Sequence, residues 1–221
     1  MSHESTEVYN YLVYLKKYLF GDLELFRGLA RNAEAEELRI RETSIETHVI
    51  PTTQSPNSFL FTFGTPLISR CTIPHASVLF STIDILGFLI RTEPNYKRTT
   101  KNFKNFFESL SPPITENELS VLIEVYRHGI THSYFPKLGL EISYHSTNPT
   151  ERIIFKNELG DLVLNINVLE TIVTERLSEL INKSELYNNM DNQYRILVEG
   201  YENGCRTIIN LLKSRLQNSE L

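Results

Sequence analysis

Among the 221 residues, Arg127, His128 and His132 have the types and spacing best suited to chemistry at a phosphate. Arginine is a permanent cation whose planar fork matches phosphate oxygens. Histidine titrates nearest neutral pH, so it can give or take a proton there. Tyr134 follows His132 by two residues, and Lys137 stands close enough in sequence to add a phosphate contact. Glu124 precedes His128 by four residues, shares its helix face and could orient the imidazole. With 13 arginines and six histidines, an Arg-x4-His spacing arises by chance in about one such sequence in three, and the added tyrosine lowers this to about one in sixty. Arg127 and His128 near a helix C-terminus would also stabilise its dipole by about 0.3–1 kcal/mol without any further role.

Helical geometry imposes a condition on these residues. At about 100° per residue, five positions put Arg127 and His132 roughly 140° apart. Both can face one substrate only if the helix breaks near Gly129 or a second copy of the chain completes the site. The helix itself is legible. Thr115-Glu116-Asn117-Glu118 is a capping box that starts it, Leu119, Leu122, Ile123 and Tyr126 mark its apolar side, and Pro136 stops it. The motif therefore falls at a helix end, where we expect its polar groups to project toward solvent.

The remaining elements follow from periodicity. Apolar residues from Val8 to Leu29 recur at three- and four-residue steps, predicting a long helix from Ser5 to about Arg39, kinked at Gly21. Residues 41–69, rich in Pro, Ser, Thr and Asn, read as an irregular connection with one short strand at Phe59–Phe63. A helix from Pro74 to about Arg91 is apolar on most sides and belongs at the centre of a core. Between Asn95 and Leu110, Phe103, Phe106 and Phe107 should turn inward, while Lys97, Arg98, Lys101 and Lys104 form a basic stripe. Such a stripe could line an RNA path but is more often a solvated face. Three alternating stretches, 140–144, 153–155 and 162–166, predict a small antiparallel sheet. Helices over about 168–187 and 191–216 complete the chain. We expect one mainly α domain spanning 1–221, a helical bundle with a β insertion at about 139–167.

Composition removes several function classes. A formal net charge of −5 argues against nonspecific coating of nucleic acid, although a local basic groove is compatible with it. The apolar run from Ala76 to Ile90 contains Ser81, Thr82 and Asp84, so no membrane span is expected. The acidic N-terminus lacks the pattern of a secretory signal, and a cytoplasmic location is expected. Cys71 and Cys205 belong to no metal or redox pattern and read as reduced, buried thiols. His3, His48, His75 and His145 stand alone, and such histidines are more often surface or satisfied core residues than ligands. No metal-ligand spacing, phosphate-binding glycine loop, dinucleotide fingerprint or nucleophile elbow occurs, so no metal or cofactor is expected.

At Arg127, His128 and His132 the chain resembles the HEPN superfamily, whose signature is an arginine, a polar residue after it, and a histidine four to six positions beyond the arginine. The R-x4-H-x-Y form of Arg127, His132 and Tyr134 resembles the HEPN toxins of bacterial toxin–antitoxin pairs. The resemblance implies an all-helical bundle that forms a homodimer, bringing two copies of the motif into one cleft, and often a metal-independent endoribonuclease. Carried over, His132 would be the general acid or base, Arg127 would hold the phosphate, and His128 would position or assist. Tyr134 would be a neighbour that a partner nucleotidyltransferase can modify. Lys137, Lys101 and Lys104 are the accompanying RNA-binding candidates. The alternative implied by the same resemblance is a noncatalytic module that binds a nucleotide, an RNA or a protein.

Overall fold

A computed structural model describes residues 7–43, 71–91, 99–133, 141–144, 152–157, 160–183 and 187–218. The expected strand at 59–63, nearly all of the 41–69 connection, Lys97, Arg98, Tyr134 and Lys137 lie outside these residues.

The chain is mainly helical with one small sheet. Its elements run α1 (Glu7–Thr43), α2 (Thr72–Leu89), α3 (Thr99–Glu108), α4 (Glu116–Val121), a π-helical segment (Leu122–Arg127) and α5 (His128–Ser133). There follow β1 (Glu141–Ser143), β2 (Ile154–Lys156), β3 (Leu162–Asn165), α6 (Ile166–Asn182) and α7 (Tyr187–Asn218). These elements gather into two compact units. The first holds 1–16, 81–115 and 173–221, and the second holds 17–80 and 116–172. The cuts fall inside α1, α2 and α6, so three helices supply residues to both units.

The long first helix continues through Gly21, and its buried positions Val8, Leu12, Leu19 and Leu23 follow the expected stripe. Leu29, expected inward, is exposed. In the first unit, Phe103, Phe106 and Phe107 of α3 are fully buried, with ring centroids of the two adjoining pairs 5.2 Å apart. Gly87 of α2 lets that helix approach α3 closely, because a Cβ built there would lie 1.9 Å from the Asn102 carbonyl oxygen. Over 18 residues α2 has a mean hydropathy of 1.4, long and apolar enough by composition to cross a membrane. Its polar His75 is nonetheless fully buried among protein groups, as suits a core helix.

The sheet belongs to the second unit, in the order β1-β3-β2. It is mixed rather than antiparallel. β2 and β3 form a hairpin, with Phe155 opposite Val163, whereas β1 runs parallel to β3 with Ile142 opposite Leu164. Alternation in sequence tells which faces side chains take but not strand direction. The turn fixes the hairpin: Asn157 Oδ1 accepts from the Asp161 N–H at 2.9 Å, and Gly160 adopts a φ of +85° that favours glycine. β1 takes the free edge of β3. The following helix starts two residues earlier than periodicity suggests, because Asn165 caps it by accepting from the Val168 N–H at 3.4 Å.

Neither cysteine matches the expectation of a buried thiol. Cys71 is half-buried and Cys205 is exposed, on the outward side of α7 near the exposed Ile208 and Ile209.

The two glycines make opposite predictions. Gly87→Ala should destabilise the protein by at least about 2 kcal/mol, since backbone must move to admit the methyl group. Gly21→Ala meets open space and should stabilise it by roughly 0.5–1 kcal/mol through helix propensity. Urea unfolding of both variants checks the pair.

Candidate functional site

The motif helix is one unbroken run from Glu116 to Ser133, built from α4, the π-helical segment and α5. Its buried positions explain the middle portion. Leu122 with Ile123, and Tyr126 with Arg127, repeat every four residues, and Ile130 continues the series. A step of four drifts around an α-helix, but an i→i+5 segment has wider turns and keeps these pairs on one side. The His128 N–H donates to the Ile123 carbonyl, closing that wider turn. Tyr126 anchors the segment to the sheet by donating its hydroxyl to the Leu162 carbonyl at 3.1 Å. Burial first, then the nearby Glu141 charge, pushes its phenol well above the ordinary value, so it remains a donor.

This geometry corrects two expectations about the motif. Arg127 is only 7% exposed, so the motif does not project all its polar groups into solvent. It rides inward beside Tyr126 on the buried side of the π-helical segment. Gly129 is itself buried and α5 runs through it, so the helix does not break there. By α-helical geometry Arg127 and His132 remain roughly 140° apart around the axis. The His132 side chain is not among those described, and neither are Tyr134 and Lys137.

Glu124 and His128 do meet, with Nδ1 3.4 Å from the carboxylate, on the more open side of the helix. With Glu124 63% and His128 25% exposed, this pair adds little stability. It does fix the direction in which the ring points. Lys101 and Lys104 sit on α3 in the first unit, half-buried and exposed respectively.

A second polar constellation, which no sequence motif announces, lies inside the second unit. His75 of α2 is fully buried and stacked against Phe26, with ring centroids 5.6 Å apart. Its Nδ1 is 3.0 Å from the Tyr144 hydroxyl, just beyond β1. On the other side, Nε2 lies 3.0 Å from Glu170 Oε2 of α6, though without the alignment of a full hydrogen bond. Glu170 is buried, and the half-exposed Arg27 of α1 reaches in to hold both of its oxygens. A carboxylate only accepts, so the nitrogen facing it carries the ring proton and Nδ1 accepts from Tyr144.

Burial, with the Arg27 cation adding to it, lowers the His75 pKa to about 4, so the ring is neutral near pH 7. Burial, reinforced by the Cys71 side chain and opposed by Arg27, pushes the Tyr144 phenol up to about 12. The arrangement is a closed polar network with neutral donors inside and one compensated charge. The signal for it was a histidine and a glutamate each interrupting an apolar helical stripe, since buried polar groups require partners. Among the described residues, no group of three or more His, Cys, Asp or Glu side chains is arranged to hold a metal.

Comparison with known proteins finds no family model, no curated protein and no solved structure that matches this chain. The reading of the site therefore rests on its own residues.

The His75 network gives a signed pH dependence. Its folded pKa, about 4, lies below the ordinary 6.5, so the unfolded chain takes up the proton first as pH falls. Stability should be fully present above pH 6.5 and decline toward pH 4, by at most about 3 kcal/mol from this group. Urea unfolding at steps between pH 7 and 4.5 measures the slope, which a His75→Asn variant should lose. A flat profile for the natural chain over pH 6.5–5 would contradict the assignment.

Proposed function

We propose that this chain is a HEPN-like, metal-independent endoribonuclease whose catalytic site is completed by a second copy of itself. The observation that carries the reading is the π-helical segment Leu122–Arg127, which ends on the motif arginine immediately before His128. Extra-residue turns of this kind are uncommon and concentrate at functional sites.

In the proposed chemistry an RNA 2′-hydroxyl attacks the adjacent phosphorus and the 5′-oxygen leaves, giving a 2′,3′-cyclic phosphate. His132 exchanges the proton, and Arg127 stabilises charge on the phosphate oxygens. His128, oriented by Glu124, assists at the edge of the site. Because the unbroken helix separates Arg127 from His132 around its axis, the arginine of one protomer works with the histidine of the other. An exposed apolar stripe on α1 supports self-association. Tyr14, Tyr18 and Leu25 are each at least 60% exposed and share one face of that helix.

A second reading, a noncatalytic HEPN-like binding module, is favoured by the burial of Arg127, which suits a structural cation better than one that meets substrate. The two readings separate in one assay. Purified protein incubated with RNA in chelator should yield fragments ending in 2′,3′-cyclic phosphate, and His132→Ala should reduce the rate by at least about 100-fold while the circular dichroism spectrum stays unchanged. Binding of RNA without turnover supports the second reading, and undiminished cleavage by His132→Ala contradicts the first.

A further inference from the structure

The first unit buries two arginines beside one cavity. Arg91, just past the end of α2, is 3% exposed, and Arg176 of α6 is 9% exposed. Both border a cavity of about 380 Å³, together with Asn105, Ser109, Asn189 and Met190. The Nε of each guanidinium is buried and has no hydrogen-bond partner among the described residues.

Among the described residues, the two arginines are answered unequally. Arg176 gives one donor, at 2.7 Å, to the half-exposed Glu179. Arg91 gives one donor, at 3.0 Å, to the neutral Asn102 side chain and lies over the Phe88 ring, 5.8 Å from its centroid. Among the described residues no carboxylate pairs with Arg91. Glu108, an exposed residue, borders the cavity without reaching either guanidinium in an ion pair. A buried cation normally carries a counter-charge, and with none paired to Arg91 among the described residues its guanidinium attracts anions in a low-dielectric setting.

The position of Arg91 is fixed from outside. Its own carbonyl accepts from Asn189 at 2.8 Å and from Gln193 at 3.1 Å, both on α7. The backbone of Arg91 is therefore held before any ligand arrives, and Asn102 holds one guanidinium nitrogen, which lowers the entropic cost of binding.

We propose that this cavity binds the phosphate group of a small phosphorylated molecule, held between Arg91 and Arg176. A space bordered by two arginines suits a tetrahedral oxyanion, which offers oxygens in several directions, better than a planar carboxylate that a single fork can satisfy. The volume exceeds that of inorganic phosphate and falls in the range of pockets for small organic ligands. Met190 and Ile90 supply apolar contact for the rest of the molecule. The site uses none of the motif residues, so it stands or falls independently of the ribonuclease reading.

The test is thermal unfolding of the full chain with inorganic phosphate, glycerol 3-phosphate, acetate or a short single-stranded RNA, each at matched ionic strength. Glycerol 3-phosphate at 10 mM should raise the Tm by about 3 °C or more, saturably, with inorganic phosphate giving a smaller rise and acetate none. Arg91→Met and Arg176→Met should abolish that rise, and Arg91→Met should keep or increase the basal Tm because it removes an uncompensated buried charge. If Arg91→Met fails to fold, Arg176→Met alone decides. Equal shifts with phosphate and acetate, a shift surviving in Arg176→Met, or a response to RNA alone would overturn the proposal.

Discussion

The second unit is organised around the buried carboxylate of Glu170. Removing a carboxylate from water costs several kcal/mol unless other groups replace its solvation. Arg27 does so from α1 and His75 stands against it from α2, while Tyr144 binds the far side of the imidazole from the end of β1. Elements separated by long stretches of chain are thereby drawn to one point. A hydrophobic face could slide by a turn and remain buried, but these polar partners fit in one register only. The neutral state of His75 follows from its burial first and then from the Arg27 cation beside it.

In the first unit the same physics operates with the opposite sign. There a cation is buried, its backbone is fixed by α7, and no anion meets it among the described residues. The contrast is informative because both units are otherwise ordinary apolar cores, α3 contributing three fully buried phenylalanines to the first and β3 with α6 contributing Leu164, Ile166 and Leu169 to the second. A charge that is answered within the fold reads as architecture. One left unanswered beside a cavity reads as a place for a ligand.

Much of the helical framework was legible from the sequence. The apolar periodicity located α1, α2, α3, α6 and α7 to within a few residues, and the capping box at Thr115–Glu118 marked the start of α4 at Glu116. What periodicity could not carry was anything dependent on tertiary partners. The parallel pairing of β1 depends on which edge of β3 is free, and the early start of α6 depends on an asparagine cap inside an apolar run. The motif shows the same limit: its spacing was visible, but the inward turn of Arg127 depends on a π-helical segment that no residue pattern announces. His75 read as a lone histidine because its partners, at positions 27, 144 and 170, come from three other elements.

The proposed catalysis requires Arg127 from one copy and His132 from another. It is tested most directly by mixing two variants, Arg127→Ala and His132→Ala, each inactive on RNA alone and each folded. Exchange of subunits creates mixed dimers with one intact site, so the mixture should recover about a quarter of the natural rate. A mixture that stays inactive although mixed dimers form, or a natural chain that never cleaves RNA, would contradict the account.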